Sequence, residues 1–304
     1  MHALSPPGAG SSGSRGAGGP DGGSSEPSGP WLTMAGWTVG LQVPDARVQA
    51  LLRRSLAGFI TPRPPPGVRA SVLEVVAPSV VHPEPATREI PRPWRAEDGA
   101  LVLEGEDYSA RLEADGLRGE VVGAGRFPVE VVLRVMLAAE LRRRDGLLVH
   151  GVALMHGEEA ALFTGHSGAG KSTLGGLWTA AGEALLSDEL VAVWPEDPRG
   201  PAPRAWRVAG TPWNVGFPRE ARLRAVGVLG WDSSSRWERP GAGEVGRVLV
   251  QNVLLCESSG AGRSAMLASA GRLLSEVAPA RLVFARDASA VAEVRTALGA
   301  AEHG

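Results

Sequence analysis

The chain is nearly without lysine, has a lone cysteine, and carries neither a basic block nor a long apolar run. Each shortage excludes something. Cys256 is the single cysteine of 304 residues, so no internal disulfide can form. That fits a reducing, cytoplasmic setting, with Cys256 itself read as a small buried hydrophobe. The formal net charge is −2 and no cluster of cations stands out, so no nucleic-acid partner is expected. No apolar run reaches the length of a membrane span, so no membrane partner is expected either. Residues 1–30 are mostly Gly, Ser, Pro and Ala, without the basic and apolar regions of a secretory signal. Such a stretch buries too little surface to fold. It reads as a disordered tail over residues 1–34, with Met34 as an alternative start. No internal repeat is visible.

Hydrophobic residues make up 43% of the chain, enough for two modest domains with a sizeable core. Residues 35–124 read as a small β-rich domain with one helix. Residues 37–43 alternate as a strand, and Asp45 is placed to cap a helix carrying Val48, Leu51, Leu52 and Leu56. A Pro-rich break at 62–66 follows, then short strand-like runs at 71–76, 101–104, 108–112 and 117–122. No catalytic constellation lies there, and the default role is substrate recognition or oligomer contact. Residues 127–144 read as an amphipathic helix with one apolar side, within a linking segment over 125–146. Pro128 fits its first turn, and Arg142, Arg143 and Arg144 sit at its C-terminal end. Over 147–304, strands are expected at 147–154, 159–165, 184–193, 223–231 and 280–285. Helices are expected at 171–181, 264–277 and 288–298. The class is α/β.

One stretch carries a chemical signature. Gly165-His166-Ser167-Gly168-Ala169-Gly170-Lys171-Ser172-Thr173 is G-x-x-x-x-G-K-[ST], the phosphate-binding loop. Glycines let successive backbone N–H groups turn inward toward phosphate oxygens, and the helix that follows presents its positive end to an anion. Lys171 reaches the β- and γ-phosphates, and the Ser172 hydroxyl can ligate Mg²⁺. The apolar run 160–164 suits a buried strand before the loop, while Leu174, Leu177 and Trp178 follow at helical spacing. Lys171 is also the only lysine in the chain. A compositional bias toward arginine stops where a compact, flexible ammonium is needed.

Two further features point to the same chemistry. Asp188-Glu189 interrupts an apolar run, and a buried strand does not carry uncompensated carboxylates. Either the strand ends there with both acids facing water, or they lie beside the γ-phosphate. In the second case one holds Mg²⁺ and the other accepts a proton from an attacking hydroxyl. His150 stands in the strand 147–154, where a lone histidine is more often a satisfied core residue than a site residue. His156 falls at a turn, and His166 lies within the loop.

In this order, Val149-His150-Gly151, the loop ending Gly170-Lys171-Ser172, and Leu186-Ser187-Asp188-Glu189 resemble the catalytic domain of HPr kinase/phosphorylase. There a V-H-G strand, a G-D-S-G-x-G-K-S loop and an A-D-D strand end occur at similar distances. The runs 210–213 and 279–287 look more like the divergent bacterial HPr-kinase-like proteins, some of which phosphorylate peptides. The resemblance covers about 147–300 and not 35–124. It implies a phosphoenolpyruvate-carboxykinase-like version of the phosphate-loop domain, with a twisted mixed sheet. It further implies that Gly165 to Thr173 hold ATP phosphates and that Ser172, Asp188 and Glu189 organise Mg²⁺. Asp188 matches the candidate general base, and His150 falls on a histidine near the phosphates. The chain departs from the family at His166 (Asp there), Thr173 (Glu there) and Glu189 (Asp there). The family's later signature loop, tied to dephosphorylation, is not found.

The expected activity is an ATP- or GTP-dependent kinase acting on a hydroxyl, most simply Ser, of a protein or peptide. The phosphate loop does not specify the base. A homo-oligomer is compatible with the front domain. A carboxykinase would use an additional metal-binding lysine, and no second lysine exists. Remaining alternatives are a small-molecule kinase and a non-catalytic nucleotide-binding module.

Overall fold

A computed structural model describes residues 29–79 and 90–299. The front part opens with β1 (Trp31–Met34) and β2 (Trp37–Gln42), then α1 (Ala46–Ser55). Asp45 caps α1, its carboxylate accepting from the Arg47 and Val48 N–H groups. After β3 (Ile60–Thr61) come β4 (Ser71–Val76), β5 (Trp94–Arg95), β6 (Leu101–Glu104), β7 (Tyr108–Leu112) and β8 (Arg118–Gly123). They form one eight-stranded sheet in the order β3-β1-β2-β4-β8-β7-β6-β5. Pairs β2–β4 and β4–β8 are parallel; the others are antiparallel. Alternation sets the inner face: Tyr108, Ala110 and Leu112 of β7 are buried, while Ser109 and Arg111 face out.

The tail expected over residues 1–34 is corrected at its end. Residues 31–34 are β1, paired with both β2 and β3, and Leu32 and Met34 are buried. Residues 1–28 and 300–304 lie outside the described residues.

Next comes α2 (Arg126–Arg143). One apolar side was expected, yet buried residues surround the helix, from Val129, Val131 and Val132 to Ala138 and Leu141. The reason is its position between two sheets. A single apolar cluster joins α2 to Val39, Leu73 and Val121 of the first sheet and to Leu148, Leu190 and Ala192 of the second. A helix covered on both sides has no need of a polar face.

The second sheet contains β9 (Leu147–His156), β10 (Glu159–Thr164), β11 (Ala184–Ser187), β12 (Leu190–Pro195), β13 (Trp206–Ala209), β14 (Glu220–Trp231), β15 (Arg236–Glu238) and β16 (Ala278–Phe284). Helix α3 (Lys171–Ala180) follows β10, α4 (Ala242–Gln251) and α5 (Gly260–Glu276) precede β16, and α6 (Ala288–Gly299) ends the described chain. Strand β9 pairs with β10, β10 with β14, β14 with β13, β13 with β12, and β12 again with β9, so the pairing closes on itself. Beyond that ring, β14 continues in parallel with β16. The architecture is mixed α/β, with two mixed multi-strand sheets and six helices among the described residues. None of these helices is long and apolar enough to cross a membrane. The run 184–193 is two strands, β11 and β12, with Asp188 and Glu189 between them.

Because α2 supplies core to both sheets, truncating it should loosen both together. Leu137 is fully buried. We expect Leu137→Ala to cost about 2–5 kcal/mol in urea unfolding, with the two halves still melting in one transition. Separate transitions in the native chain would contradict a shared core.

Candidate functional site

Strand β10 leads straight into the phosphate-loop sequence and α3 out of it. Thr164, fully buried, donates its hydroxyl to the His150 carbonyl at 2.8 Å, which ties the base of the loop to β9. Gly168 (φ +81°) and Gly170 (φ +102°) take left-handed backbone. At Gly170 a side chain is excluded twice over, since a Cβ would lie 2.6 Å from the Trp231 ring. No side chain caps α3 at Gly170, so its first N–H groups stay available to an anion. The buried Lys171 ammonium donates to the carbonyls of Gly165 (2.6 Å) and His166 (3.1 Å), and burial holds its pKa below the ordinary range. His166 is exposed, its Nδ1 lying 2.6 Å from the Ser167 carbonyl oxygen. Ala169 packs close to Gly165, whose Cβ would come within 3.0 Å of the Ala169 methyl. Ser172 and Thr173 are exposed toward the cleft beside the loop, while Leu174 and Trp178 bury the other face of α3.

The two acids lie at the break between β11 and β12, half-buried, and both line this cleft. Asp188 is gripped by the segment before β14. Its Oδ1 accepts from Asn214 Nδ2 at 2.9 Å and from the Val215 N–H at 3.2 Å, and its own N–H donates to the Val215 carbonyl at 3.0 Å. Asn214 holds a left-handed φ of +55° to do this. Glu189 makes a 3.2 Å ion pair with Arg134 of α2, whose guanidinium also lies 5.3 Å from the Trp213 ring centre.

His150 is not a core residue: its side chain is exposed and lines the same cleft. Its backbone N–H donates to the Asn252 carbonyl at 2.7 Å, fixing that point of β9. Partial withdrawal from water, with the Lys171 charge second, holds its imidazole below the ordinary value of 6.5; Arg134 acts the same way, and Glu189 and Asp188 oppose them.

The cleft encloses about 420 Å³ and gathers His150, Ser167, Gly168, Gly170, Lys171, Ser172, Thr173, Asp188 and Glu189. That volume lies within the range typical of small-ligand sites. Gly165, His166 and Ala169 shape the loop from behind or beside it. Four contributors escape a reading of motifs: Arg134, Asn214, Trp231 and Arg286. Arg134 is hidden in an apolar helix and Asn214 in a turn. Trp231 closes β14 and Arg286 lies just past the end of β16, where the only signal is an aromatic or a cation at a C-terminal edge.

Among the described residues, no three or more His, Cys, Asp or Glu side chains form a ready-made metal cage. Mg²⁺ needs none, because it is held by one or two carboxylates with phosphate oxygens and water. Asp188, Glu189 and the Ser172 hydroxyl on one cleft fit such a donor set, with Arg134 competing for Glu189. No protein-family model matches the chain, and no curated protein matches it.

The histidine generates a pH prediction. Folded protein binds the His150 proton less readily than unfolded chain, so this group's contribution to stability is present above 6.5 and is lost progressively as pH falls from there through the lower folded value. We expect the His150 ring signals in an NMR titration to move with a midpoint below 6.5, and Lys171→Ala to raise it. A midpoint at or above the ordinary value would contradict this electrostatic account.

Proposed function

We propose that the chain is an ATP- or GTP-dependent phosphotransferase of the HPr-kinase-like type, with a phosphoenolpyruvate-carboxykinase-like phosphate-loop domain. The observation that carries this reading is convergence. The loop 165–173, His150 and Asp188 come from separate elements and line one cleft. Loop amides and the start of α3 hold the phosphates, and Lys171 leaves its carbonyl partners to meet the β- and γ-oxygens. Mg²⁺, held by Ser172 and Glu189, would neutralise the phosphate charge. Asp188 acts as base. With Oδ1 engaged by Asn214 and Val215, Oδ2 is turned to the acceptor. The acceptor oxygen bonds to the γ-phosphorus, the bond to the β–γ bridging oxygen breaks, the nucleoside diphosphate leaves, and the acceptor proton passes to Asp188. His150 hydrogen-bonds at the phosphates.

The acceptor is a hydroxyl of a protein or peptide, most simply Ser. The segment gripping Asp188 exposes Val215 and Phe217, and Pro218 beside it packs near Gly58 of the front part, within 3.7 Å of a Cβ built there. The rim of the acceptor side thus draws on both halves of the molecule. A non-catalytic Mg-nucleotide module is the second reading, favoured by the engagement of Glu189 with Arg134.

Lys171→Ala should abolish MgATP binding in calorimetry; normal affinity would defeat the nucleotide assignment. Asp188→Asn should keep MgATP affinity yet transfer label from γ-labelled ATP to proteins of a host lysate roughly 100-fold more slowly. If Glu189→Gln loses transfer and Asp188→Asn keeps it, the two acids have the opposite roles. Label appearing only on a small metabolite would replace the protein acceptor with a small one.

A further inference from the structure

One side of the phosphate loop carries the acids; the other carries an aromatic residue and an arginine that the phosphotransfer reading does not use. Strand β10 has β9 on one edge and β14 on the other. His150 lies on β9, and Asp188 and Glu189 follow β11, which also pairs with β9. On the opposite side β14 and β16 run parallel to β10, so their C-terminal ends emerge beside the loop. Ligands of parallel sheets gather at such ends. Trp231 and Phe284 are register partners there.

Trp231 is 41% exposed, an unusual state for an indole whose ring also packs on Phe284 at 4.4 Å between centroids. The guanidinium of Arg286 lies over the indole, 4.5 Å from its centre. Arg286 is exposed and makes no ion pair or side-chain hydrogen bond among the described residues. The nearby acids are engaged elsewhere: Asp232 pairs with Arg236 at 2.7 Å, and Asp287 accepts from the Ser289 N–H at 2.8 Å. Both Trp231 and Arg286 line the cleft that holds Lys171 and Ser172. An indole and a guanidinium held face to face are flat, rigid and weakly hydrated on their exposed surfaces, a combination suited to stacking a heteroaromatic ring.

We infer that Trp231 and Arg286 form the nucleoside subsite, where the base of a bound nucleotide packs against the indole–guanidinium pair. The inference rests on the nucleotide reading above and deepens it. The phosphates lie on the loop, the acceptor enters on the acidic side, and the base takes the β14–β16 side. Stacking reads a ring face rather than its edge groups, so adenine and guanine are held about equally.

The test compares a ligand that has a base with one that lacks it. MgATP, MgGTP and magnesium tripolyphosphate are titrated into the full chain by calorimetry. Wild type should bind both nucleotides within a few-fold of each other, and tripolyphosphate more weakly. Arg286→Ala and Trp231→Ala should each weaken MgATP roughly 10-fold or more, leaving tripolyphosphate within about twofold. Trp231→Phe, which keeps an aromatic face beside Gly170, should retain most of the MgATP affinity and guards against a packing defect. Equal losses for ATP and tripolyphosphate would mean that Arg286 reads phosphate, and would overturn the inference. So would unchanged ATP affinity in Arg286→Ala. A wild type that binds tripolyphosphate as tightly as ATP would refute the subsite while leaving the phosphate loop intact. A wild type that binds none of the three would refute the nucleotide reading and the subsite together.

Discussion

Asp188 and Glu189 interrupt what would otherwise be one apolar strand from β11 into β12, and much of the second sheet is arranged around that interruption. Two carboxylates within a buried strand would lose their hydration with nothing in return. The chain therefore breaks, and both acids turn to the cleft beside the phosphate loop. What keeps the break in place is the segment before β14: Thr211 donates to the Leu190 carbonyl at 2.5 Å, and Asn214 and Val215 hold Asp188.

The second consequence concerns α2. It is the shared core of both sheets, and from it Arg134 reaches Glu189. The front part is therefore connected to the acidic pair by a helix that cannot shift without disturbing two sheets. One cleft carries charges of both signs, Lys171 and Arg286 together with Asp188 and Glu189, and Arg134 pairs with Glu189. On the proposed reading such a mixture suits a ligand that brings both anionic phosphates and a divalent cation, because each half of the ligand meets the opposite charge.

Much of this was legible in sequence where a local rule applies. Asp45 had to cap α1 because its carboxylate had two N–H groups in reach. The glycine-rich loop between β10 and α3 reveals itself by spacing, and the adjacent acids reveal themselves by being out of place in an apolar run. Features that depend on distant neighbours were not legible. Helix α2 read as one-sided because nothing local announces a second sheet. β1 was lost in a Gly/Ser/Pro-rich tail because its strand character comes from pairing with β2 and β3. Helix α4 went unread among small residues, and the run 206–209 became β13 only by bridging β12 and β14. In the site, Arg134 and Asn214 gain their roles from contacts across the fold, which no motif encodes.

The central claim is that the cleft transfers phosphate and does not merely hold a nucleotide. The most direct measurement is single-turnover release of nucleoside diphosphate from the protein loaded with Mg²⁺ and labelled ATP, with and without an acceptor supplied as host-cell extract. The account predicts that nucleotide stays bound as triphosphate alone, and that extract triggers diphosphate release with label appearing on serine hydroxyls. Tight triphosphate binding with no diphosphate released under either condition would contradict it.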